Sequence, residues 1–437
     1  MQKEQNNTMY IDDLFREDYY DFLQKDYKCP HELTVAFVEN GIVLPFQSST
    51  TELSKGVGGV LDKNHVYVGL SKTAQENLME APESINDEQL LNIECRKEEV
   101  IYLGYFIKQW GHFLVDFIPR LWWLINNYDN QKIIYLARDR KSIIDGNYLR
   151  LLELFGINKD KIECIHSITS FQKIIIPEMS INRPDSYSSE YLKIIDRIVE
   201  KTPDITLNYE KVYFTRTKLK KACNSELGEI DVESFFKENG FKVLAPEKCS
   251  LELQINIFRK CKEIASLSGT IPHNIVFGTP DTKLIIINKT VRINTTQIIL
   301  NKLIGCDTTY IDAFVNLLPV SPASGPFWVR VNDNMKEFAL NNNYIIKKEN
   351  KIIESIKVRS ALQKYFLIYC RNINSQYDIG GKIVASSRPL YEGKHVEDIY
   401  YYYRATLPYF NSHISFRATI KDLIKQIKKW VKRKISS

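Results

Sequence analysis

A histidine and an aspartate four residues apart are the side chains of this sequence best suited to proton transfer. His112 and Asp116 lie in the segment 98–125, whose other residues are mostly apolar. At this spacing the two side chains share one face of a helix. An imidazole titrates near neutral pH and can accept a proton from a hydroxyl group, and a neighbouring carboxylate can orient the ring. The pair is therefore suited to general acid–base catalysis.

Two interpretations of this pair are open. A charged pair on a buried helix is costly unless it is paired or used. His112 and Asp116 could therefore hydrogen-bond to each other and serve only the core. Gly111 favours a functional role, because a missing side chain lets a substrate or a second backbone approach. In a functional role, His112 is the candidate base and Asp116 its orienting group, and the reverse assignment is also open.

The elements around the pair alternate between strands and helices. The strand-like residues 100–103 end at Gly104, and a helix carrying the pair follows, with Pro119 kinking or restarting it. Residues 1–30 form a polar lead-in with one short amphipathic helix. The short runs before the pair predict an antiparallel meander, and the strand–helix–strand spacing after it predicts a parallel sheet. The predicted strands are 34–37, 41–46, 66–70, 132–136, 162–166 and 171–176, and the predicted helices are 143–155 and 187–201.

A second strand–helix series follows a Thr-Pro-Asp boundary at 202–204. We therefore predict an α/β protein with two Rossmann-like domains facing each other across a cleft, residues 1–202 and 203–315. A helical C-terminal extension, residues 316–437, completes the chain. Ligands of such folds bind at the carboxyl ends of the strands. The second series comprises the strands 211–215, 241–244, 263–267 and 283–287 and the helices 232–239, 251–260 and 271–277.

Two segments at strand ends are suited to binding an anion. Arg216 and Lys221 follow the strand 211–215 in the sequence TRTKLKKACNSE, so we expect their charges to face the cleft. The segment SLSGTIPHN lies between a strand and a helix, where small residues and free backbone N–H groups favour a phosphate. This signal is weaker than a GxGxxG or Walker loop, and neither of those motifs occurs in the chain. The candidates in it are Ser268, Gly269, Thr270, His273 and Asn274, and a backbone-bonded His273 at the helix start is the open alternative.

Composition and charge narrow the functional classes. The tail 416–437 carries six Lys and two Arg against one Asp, so the net charge of +6 belongs to the tail and the rest is close to neutral. This balance argues against a nucleic-acid surface. The eight cysteines are scattered singly, which argues against a zinc site and for a reduced, cytoplasmic protein. No apolar run is long enough to span a membrane, and the polar N-terminus is unlike a secretory signal.

The tail predicts contact with a membrane surface. Its apolar residues recur at helical spacing, and basic residues fill most of the other positions. A basic amphipathic helix binds the surface of an anionic membrane. We therefore expect 416–437 to hold the protein on the inner face of the cell membrane, and packing against a partner subunit is the alternative. The apolar residues are Ile420, Leu423, Ile424, Ile427 and Val431.

Four segments of the chain resemble those of a known family, glycosyltransferase family 61, and in particular its bacterial members of capsular and surface polysaccharide synthesis. The resemblance covers roughly residues 34–315. It implies a two-domain GT-B fold, an inverting mechanism and a nucleotide-sugar donor, without an obligatory metal or other cofactor. The chain contains no Asp-x-Asp motif, and it has Ser268-Gly269 where many relatives have His-Gly. The segments are YLGYFIKQWGHFLVDFIPRLWWL, FTRTKLKKACNSELGE, GFKVLAPEKCSLELQI and SLSGTIPHNIVFGTP.

The resemblance also implies roles for the candidate residues. Arg216 and Lys221 would neutralise the departing diphosphate. Glu247 follows the strand 241–244 and could accept hydrogen bonds from the ribose or base, and a surface Glu without a function is its alternative. The acceptor would be a polysaccharide or a lipid-linked glycan. A second function is open, a non-catalytic sugar- or nucleotide-binding subunit of a polysaccharide assembly. The residues that would surround the phosphates or ribose are Ser268, Gly269, Thr270, His273 and Asn274.

Overall fold

Strands and helices alternate along much of the described part of the chain, and most of the strands belong to two large sheets. The computed structural model describes residues 5–48, 56–73, 78–82, 90, 93–223, 225–315 and 325–347, and seven single positions between 353 and 368. Within these residues, each large sheet has six strands. The predicted α/β class is confirmed. Most of the predicted C-terminal extension, residues 316–437, including the whole tail 416–437, lies outside the described residues.

The elements are numbered in chain order. The strands are β1 (Asn7–Tyr10), β2 (Val35–Ser48), β3 (Gly56–Leu61), β4 (Glu94–Phe106), β5 (Lys132–Ala137), β6 (Ile162–Cys164), β7 (Thr169–Pro177), β8 (Ile181–Asn182), β9 (Ser186–Tyr187), β10 (Lys211–Phe214), β11 (Glu226–Leu227), β12 (Lys242–Leu244), β13 (Glu263–Leu267), β14 (Lys283–Asn288), β15 (Asp307–Asp312) and β16 (Phe327–Trp328). The helices are α1 (Asp13–Gln24), α2 (Trp110–His112), α3 (Leu124–Asn127), α4 (Gly146–Phe155), α5 (Glu190–Lys201), α6 (Lys220–Cys223), α7 (Glu229–Glu238), α8 (Leu251–Lys260), α9 (Thr295–Ile304) and α10 (Asp333–Asn341).

The first sheet combines a meander with a parallel part, in the order β3-β2-β7-β4-β5-β6. Strands β4, β5, β6 and β7 are parallel, and β2 is antiparallel to β3 and β7. The two strands predicted at 34–37 and 41–46 form the single strand β2, because Asn40 adopts a φ of 50° without breaking the register with β7. The strand predicted at 66–70 is wrong. That segment forms an isolated bridge at Tyr67 and a 3₁₀ turn at Gly69–Ser71.

The second sheet is parallel throughout, in the order β1-β15-β14-β13-β10-β12. Its central strands are almost continuously apolar and buried, as expected when helices cover both faces. The edge strand β1 comes from the amino terminus and pairs with β15. The sequence predicted only a polar lead-in there, because a strand of four residues carries too little periodicity to be recognised.

The segment with the central pair is not one regular helix. It begins as α2, widens to a π-helical turn at Phe113–Phe117, and tightens to a 3₁₀ turn at Ile118–Trp123 before α3. Pro119 lies in the first turn of the 3₁₀ segment, where its missing N–H costs nothing. Every residue of the π turn is buried, as the apolar sequence predicts. π turns are rare and occur often at functional sites.

Arg120 fixes this segment against its surroundings. Its guanidinium is buried and donates to the backbone carbonyls of Pro177, Leu70 and Lys72. Burial lowers the pKa of Arg120 to about 10, so the group remains charged at neutral pH. One side chain thereby joins three backbone carbonyls from two different parts of the chain. The end of β7 and the loop 70–72 are held at a defined distance from the central segment.

The central segment packs on both halves of the molecule. One continuous cluster of buried apolar side chains includes Leu114 and Phe117 of this segment and Ile271 and Ile275 of the second half.

None of the helices in the described residues has both the length and the apolar composition that a membrane span requires.

Candidate functional site

Side chains of both sheets meet where the parallel strands end. The central segment follows the carboxyl end of β4, and the segment 268–274 follows that of β13. A Cβ atom on Gly111 would lie 3.2 Å from Thr270 Oγ1 and 3.3 Å from His273 Cδ2. Beside it, Trp110 Nε1 donates to Asn274 Oδ1 at 2.7 Å. Gly111 therefore permits the close approach that the sequence predicted, and the approaching group is the other half of the protein.

His112 and Asp116 are hydrogen-bonded. His112 Nδ1 lies 2.6 Å from Asp116 Oδ2. Asp116 is almost fully buried at 2% exposure, whereas the His112 side chain is 27% exposed. A carboxylate only accepts, so the proton of the neutral imidazole is on Nδ1 and the lone pair is on Nε2. Among the described residues Nε2 has no hydrogen-bond partner. His112 therefore has the tautomer of a general base.

Arg183 completes this group, and the sequence analysis missed it. Its Nη2 donates to Asp116 Oδ1 at 2.6 Å and to Oδ2 at 2.5 Å, and its Nε donates to Oδ1 at 2.9 Å. Such a forked pair compensates a buried carboxylate and fixes its orientation. One rule used for Arg216 could have suggested this position: a charged side chain beyond the end of a parallel strand is expected to face the cleft. Arg183 lies six residues beyond the carboxyl end of the parallel strand β7 and directly after the two-residue strand β8.

His273 faces the same group from the second half. Its Nδ1 donates to Gln297 Oε1 at 2.6 Å, and Gln297 Nε2 donates to Pro272 O at 3.0 Å, which fixes the orientation of the amide. Burial lowers the pKa of His273 to about 4, and the positive charge of Arg183 contributes to this shift. His273 is therefore neutral at neutral pH. The ring bonds to a side chain, whereas the backbone N–H of His273 donates to Thr270 O at 3.2 Å at the start of the 3₁₀ turn Ile271–Phe277, so the alternative of a helix-start residue stays open.

A second charged group lies at the carboxyl ends of β10 and β14. Arg216 Nε donates to Glu226 Oε2 at 2.9 Å, and Lys289 Nζ donates to Glu226 Oε1 at 2.5 Å. Both cations approach Gly269, where a Cβ atom would lie 3.9 Å from Arg216 Nη1 and 4.0 Å from Lys289 Nζ. Gly269 has a φ of +145°, a conformation that favours glycine. Lys289 is a further residue that the sequence analysis missed.

Glu229 supports the loop that carries Arg216. Its Oε1 accepts hydrogen bonds from the backbone N–H of Arg216 at 2.8 Å and from Tyr213 OH at 3.1 Å. Burial raises the pKa of Glu229 to about 7. Glu233 Oε2 accepts from Thr215 Oγ1 and Thr217 Oγ1, both at 2.7 Å, on the same loop. The beginning of helix α7 thus holds the end of β10 in a defined conformation.

The remaining predicted residues have different surroundings. Ser268 Oγ accepts from the backbone N–H of Lys289 at 3.2 Å, so it joins the two strand ends. Glu247 is exposed on the turn Pro246–Lys248, and it has no hydrogen bond or ion pair with the described side chains of the other candidates. Lys221 lies in α6, and its side chain is outside the described part of the structure. The predicted roles of Glu247 and Lys221 stay predictions.

A narrow pocket opens beside Gly269, with about 270 Å³ of non-protein space that includes open solvent. Its polar wall includes Tyr19 and Asn288, which are joined by a hydrogen bond of 2.8 Å. Asn288 also donates to Asp312 Oδ1 at 2.8 Å, and burial raises the pKa of Asp312 to about 6. The amino-terminal helix α1 therefore contributes to the wall of this region.

We predict that His273 makes stability depend on pH. The unfolded imidazole takes up a proton near pH 6.5, whereas the folded one does so only near pH 4. The free energy of unfolding should therefore fall as the pH decreases from about 6.5 to about 4, by up to about 3 kcal/mol. The His273→Asn variant should lack this contribution. Urea unfolding across this range measures it.

The control for this measurement is His65→Asn, which removes an exposed imidazole whose φ of 62° Asn also adopts readily. If wild type and the His273→Asn variant lost stability equally over this pH range, the assignment of a buried neutral imidazole would be wrong.

Comparison with known proteins agrees with the resemblance seen in the sequence. No curated protein matches the chain. A family model does, and its match starts at Trp110 and includes His112, Asp116, Arg183, Arg216 and the segment 268–274. Lys289 lies just beyond its end. Residues 110–285 match the model described as Glycosyltransferase 61, and this match supports glycosyltransferase family 61 as the family of the segment that carries the site.

Proposed function

We propose that this protein is an inverting glycosyltransferase that moves a sugar from a nucleotide-sugar donor to a hydroxyl group of a glycan acceptor. The observation that carries the proposal is the position of two groups on either side of Thr270. The His112–Asp116–Arg183 group adjoins it through Gly111, and the cations Arg216 and Lys289 adjoin it through Gly269. Transfer from a nucleotide-sugar requires a base and a cationic site close to the segment that binds the donor.

The proposed step has one proton acceptor and one leaving group. The acceptor hydroxyl oxygen attacks the anomeric carbon of the donor, and the bond from that carbon to the phosphate oxygen breaks. His112 Nε2 takes the hydroxyl proton, and the nucleotide leaves with the electron pair of the broken bond. Attack from the side opposite the leaving group inverts the anomeric centre. Asp116 orients the ring and stabilises the imidazolium, as the carboxylate does in a Ser-His-Asp triad.

Burial favours His112 over Asp116 as the base. Both carboxylate oxygens of Asp116 accept from Arg183, and one also accepts from His112. At 2% exposure, this carboxylate is closed to an acceptor hydroxyl, whereas the His112 side chain is partly exposed. The reverse assignment would require Asp116 to break two charge-assisted hydrogen bonds before it could act.

The cations stabilise the leaving group. Negative charge develops on the phosphate oxygens as the bond to the sugar breaks, and Arg, Lys or a metal ion usually neutralises it. Arg216 directs Nη1 toward Gly269, where an anion has room. We propose that these side chains supply the charge that a metal would supply in other transferases.

The two sheets suggest the domain arrangement of the proposed enzyme. We propose that the sheet of β2–β7 belongs to an acceptor-side domain, residues 1–202, and the sheet of β10–β15 to a donor-side domain, residues 203–315, in a GT-B arrangement. Strand β1 lies in the second sheet, so the amino terminus would link the two domains. The acceptor is proposed to be a surface or capsular polysaccharide or a lipid-linked glycan.

We predict that His112→Ala abolishes transfer without weakening donor binding. The rate should fall by about 10² to 10⁴, the usual contribution of a general base. The donor is first selected by thermal shift against UDP-, GDP-, CMP- and ADP-linked sugars. Nucleotide release is then measured with a panel of mono- and disaccharide acceptors, and donor affinity is measured by calorimetry.

The matched control is His166→Ala, which removes an exposed imidazole after β6. Equal rates in wild type and the His112→Ala variant would remove His112 as the base. A wild-type protein that binds a donor but never releases nucleotide would instead favour the non-catalytic binding subunit.

For the tail we predict reversible binding to anionic lipid. The seven net positive charges of 416–437 should contribute on the order of 1 kcal/mol per basic residue near such a surface. Deleting 416–437 should therefore abolish co-sedimentation with vesicles that contain phosphatidylserine, and vesicles of phosphatidylcholine alone serve as the control. Unchanged co-sedimentation, or a change of oligomeric mass instead, would contradict the proposed membrane contact.

A further inference from the structure

We propose that Lys289 and Arg216 form a two-cation site for the diphosphate of the donor, and that Glu226 is the positioning residue that holds both cations toward Gly269. The inference rests on the proposed function and adds the residue that positions its two cations as one site. Lys289 and Glu226 had no role in the predictions from the sequence, and Lys289 lies outside the residues 110–285 that match the family.

The geometry joins three different elements. Arg216 follows β10, Glu226 begins β11 and Lys289 follows β14. Each carboxylate oxygen of Glu226 accepts from one of the two cations, at 2.9 Å from Arg216 Nε and 2.5 Å from Lys289 Nζ. Strand β11 pairs only with β16 among the described strands, so Glu226 comes from outside the large sheet. One carboxylate thus sets the distance between two cations whose loops follow β10 and β14, the two strands on either side of β13.

The cations keep hydrogen-bonding capacity for a ligand. Arg216 uses Nε for Glu226, and its Nη groups have no hydrogen-bond partner among the described residues. Both cations are about 4 Å from the point where a Cβ on Gly269 would lie. The missing side chain leaves that space to an anion. A diphosphate there would contact both cations and lie next to the backbone of 268–270, where small residues permit close approach.

Because Lys289 is buried, it needs the carboxylate of Glu226 to keep its positive charge. Glu226 is 3% exposed and Lys289 is 11% exposed. Burial lowers the pKa of Lys289, and the charge of Glu226 opposes that shift. The charged groups around Lys289 are Arg216, which disfavours its protonated form, and Glu226 and Glu229, which favour it. Lys289 Nζ also lies 4.4 Å from the centre of the Phe327 ring, a further stabilising contact for a cation. Without the charge of Glu226, Lys289 would lose its proton at a lower pH.

The experiment compares four variants in binding inorganic pyrophosphate and the nucleoside diphosphates UDP, GDP, CDP and ADP, by calorimetry between pH 6 and 9. Lys289→Met should weaken binding of the preferred ligand about tenfold or more, and Lys289→Arg should retain most of it. Glu226→Gln should also weaken binding, and its affinity should decline at a lower pH than that of wild type. A purely structural role for Glu226 would lower stability without moving the pH profile.

Lys211→Met is the matched control. Lys211 pairs with Glu263 at 2.7 Å and lies over the Phe241 and Tyr344 rings, but at the amino end of β10, away from the site. If Lys289→Met bound like wild type, or Glu226→Gln kept the wild-type pH profile, the inference would be overturned. Should Lys289→Met fail to fold, the isosteric Glu226→Gln decides alone.

Failure of the inference and failure of the proposed function give different results. Tight diphosphate binding that is insensitive to Lys289 and Glu226, with His112-dependent transfer, removes the two-cation site and leaves the enzyme. Pyrophosphate binding that depends on both residues, without sugar transfer from any donor, supports the anion site and contradicts the proposed function.

Discussion

The site depends on one buried ion pair, Asp116 with Arg183. A carboxylate inside an apolar segment is costly unless an opposite charge and hydrogen bonds compensate it. Arg183 supplies both through a forked contact, and the remaining acceptor capacity fixes the ring of His112. Because this capacity is directed at Nδ1, the lone pair remains on Nε2. The buried charge of Asp116 must be compensated for the core to be stable, and the same hydrogen bonds give His112 the tautomer that the proposed chemistry needs.

The two sheet edges at which the parallel strands end explain how residues far apart in the sequence come together. Arg183 lies beyond β7 and the short β8, and the central segment follows β4. The residues around Gly269 and Lys289 follow β13 and β14. Parallel strands direct their carboxyl ends to one edge, and loops there carry ligand-binding groups. Gly111, which lies after β4, lets Thr270 and His273 of the second half come so close that a side chain at position 111 would be tightly packed against them. The sites for base and anion are thus neighbours of one short segment.

Much of the fold and part of the site could be predicted from the sequence. Strands such as Lys283–Asn288 are apolar runs with clear ends, and the segment 268–274 is recognisable as a loop between strand and helix. Arg183 could not be linked to Asp116, because the two residues are 67 positions apart and no periodic pattern in the sequence connects them. Glu226 could not be predicted either, since its strand of two residues has no recognisable sequence pattern. Strand β1 was missed because its partner, β15, lies some 300 residues later. Local pattern predicts elements, whereas ion pairs between loops depend on the tertiary fold.

The most direct measurement is a crystal structure of the protein with a bound nucleotide-sugar, or with the nucleoside diphosphate that binds best. We expect the diphosphate over Gly269, within hydrogen-bonding distance of Arg216 and Lys289, and the anomeric carbon on the side of His112 Nε2. A ligand at the amino ends of the strands, or a donor sugar separated from His112 by the body of either half, would contradict this expectation.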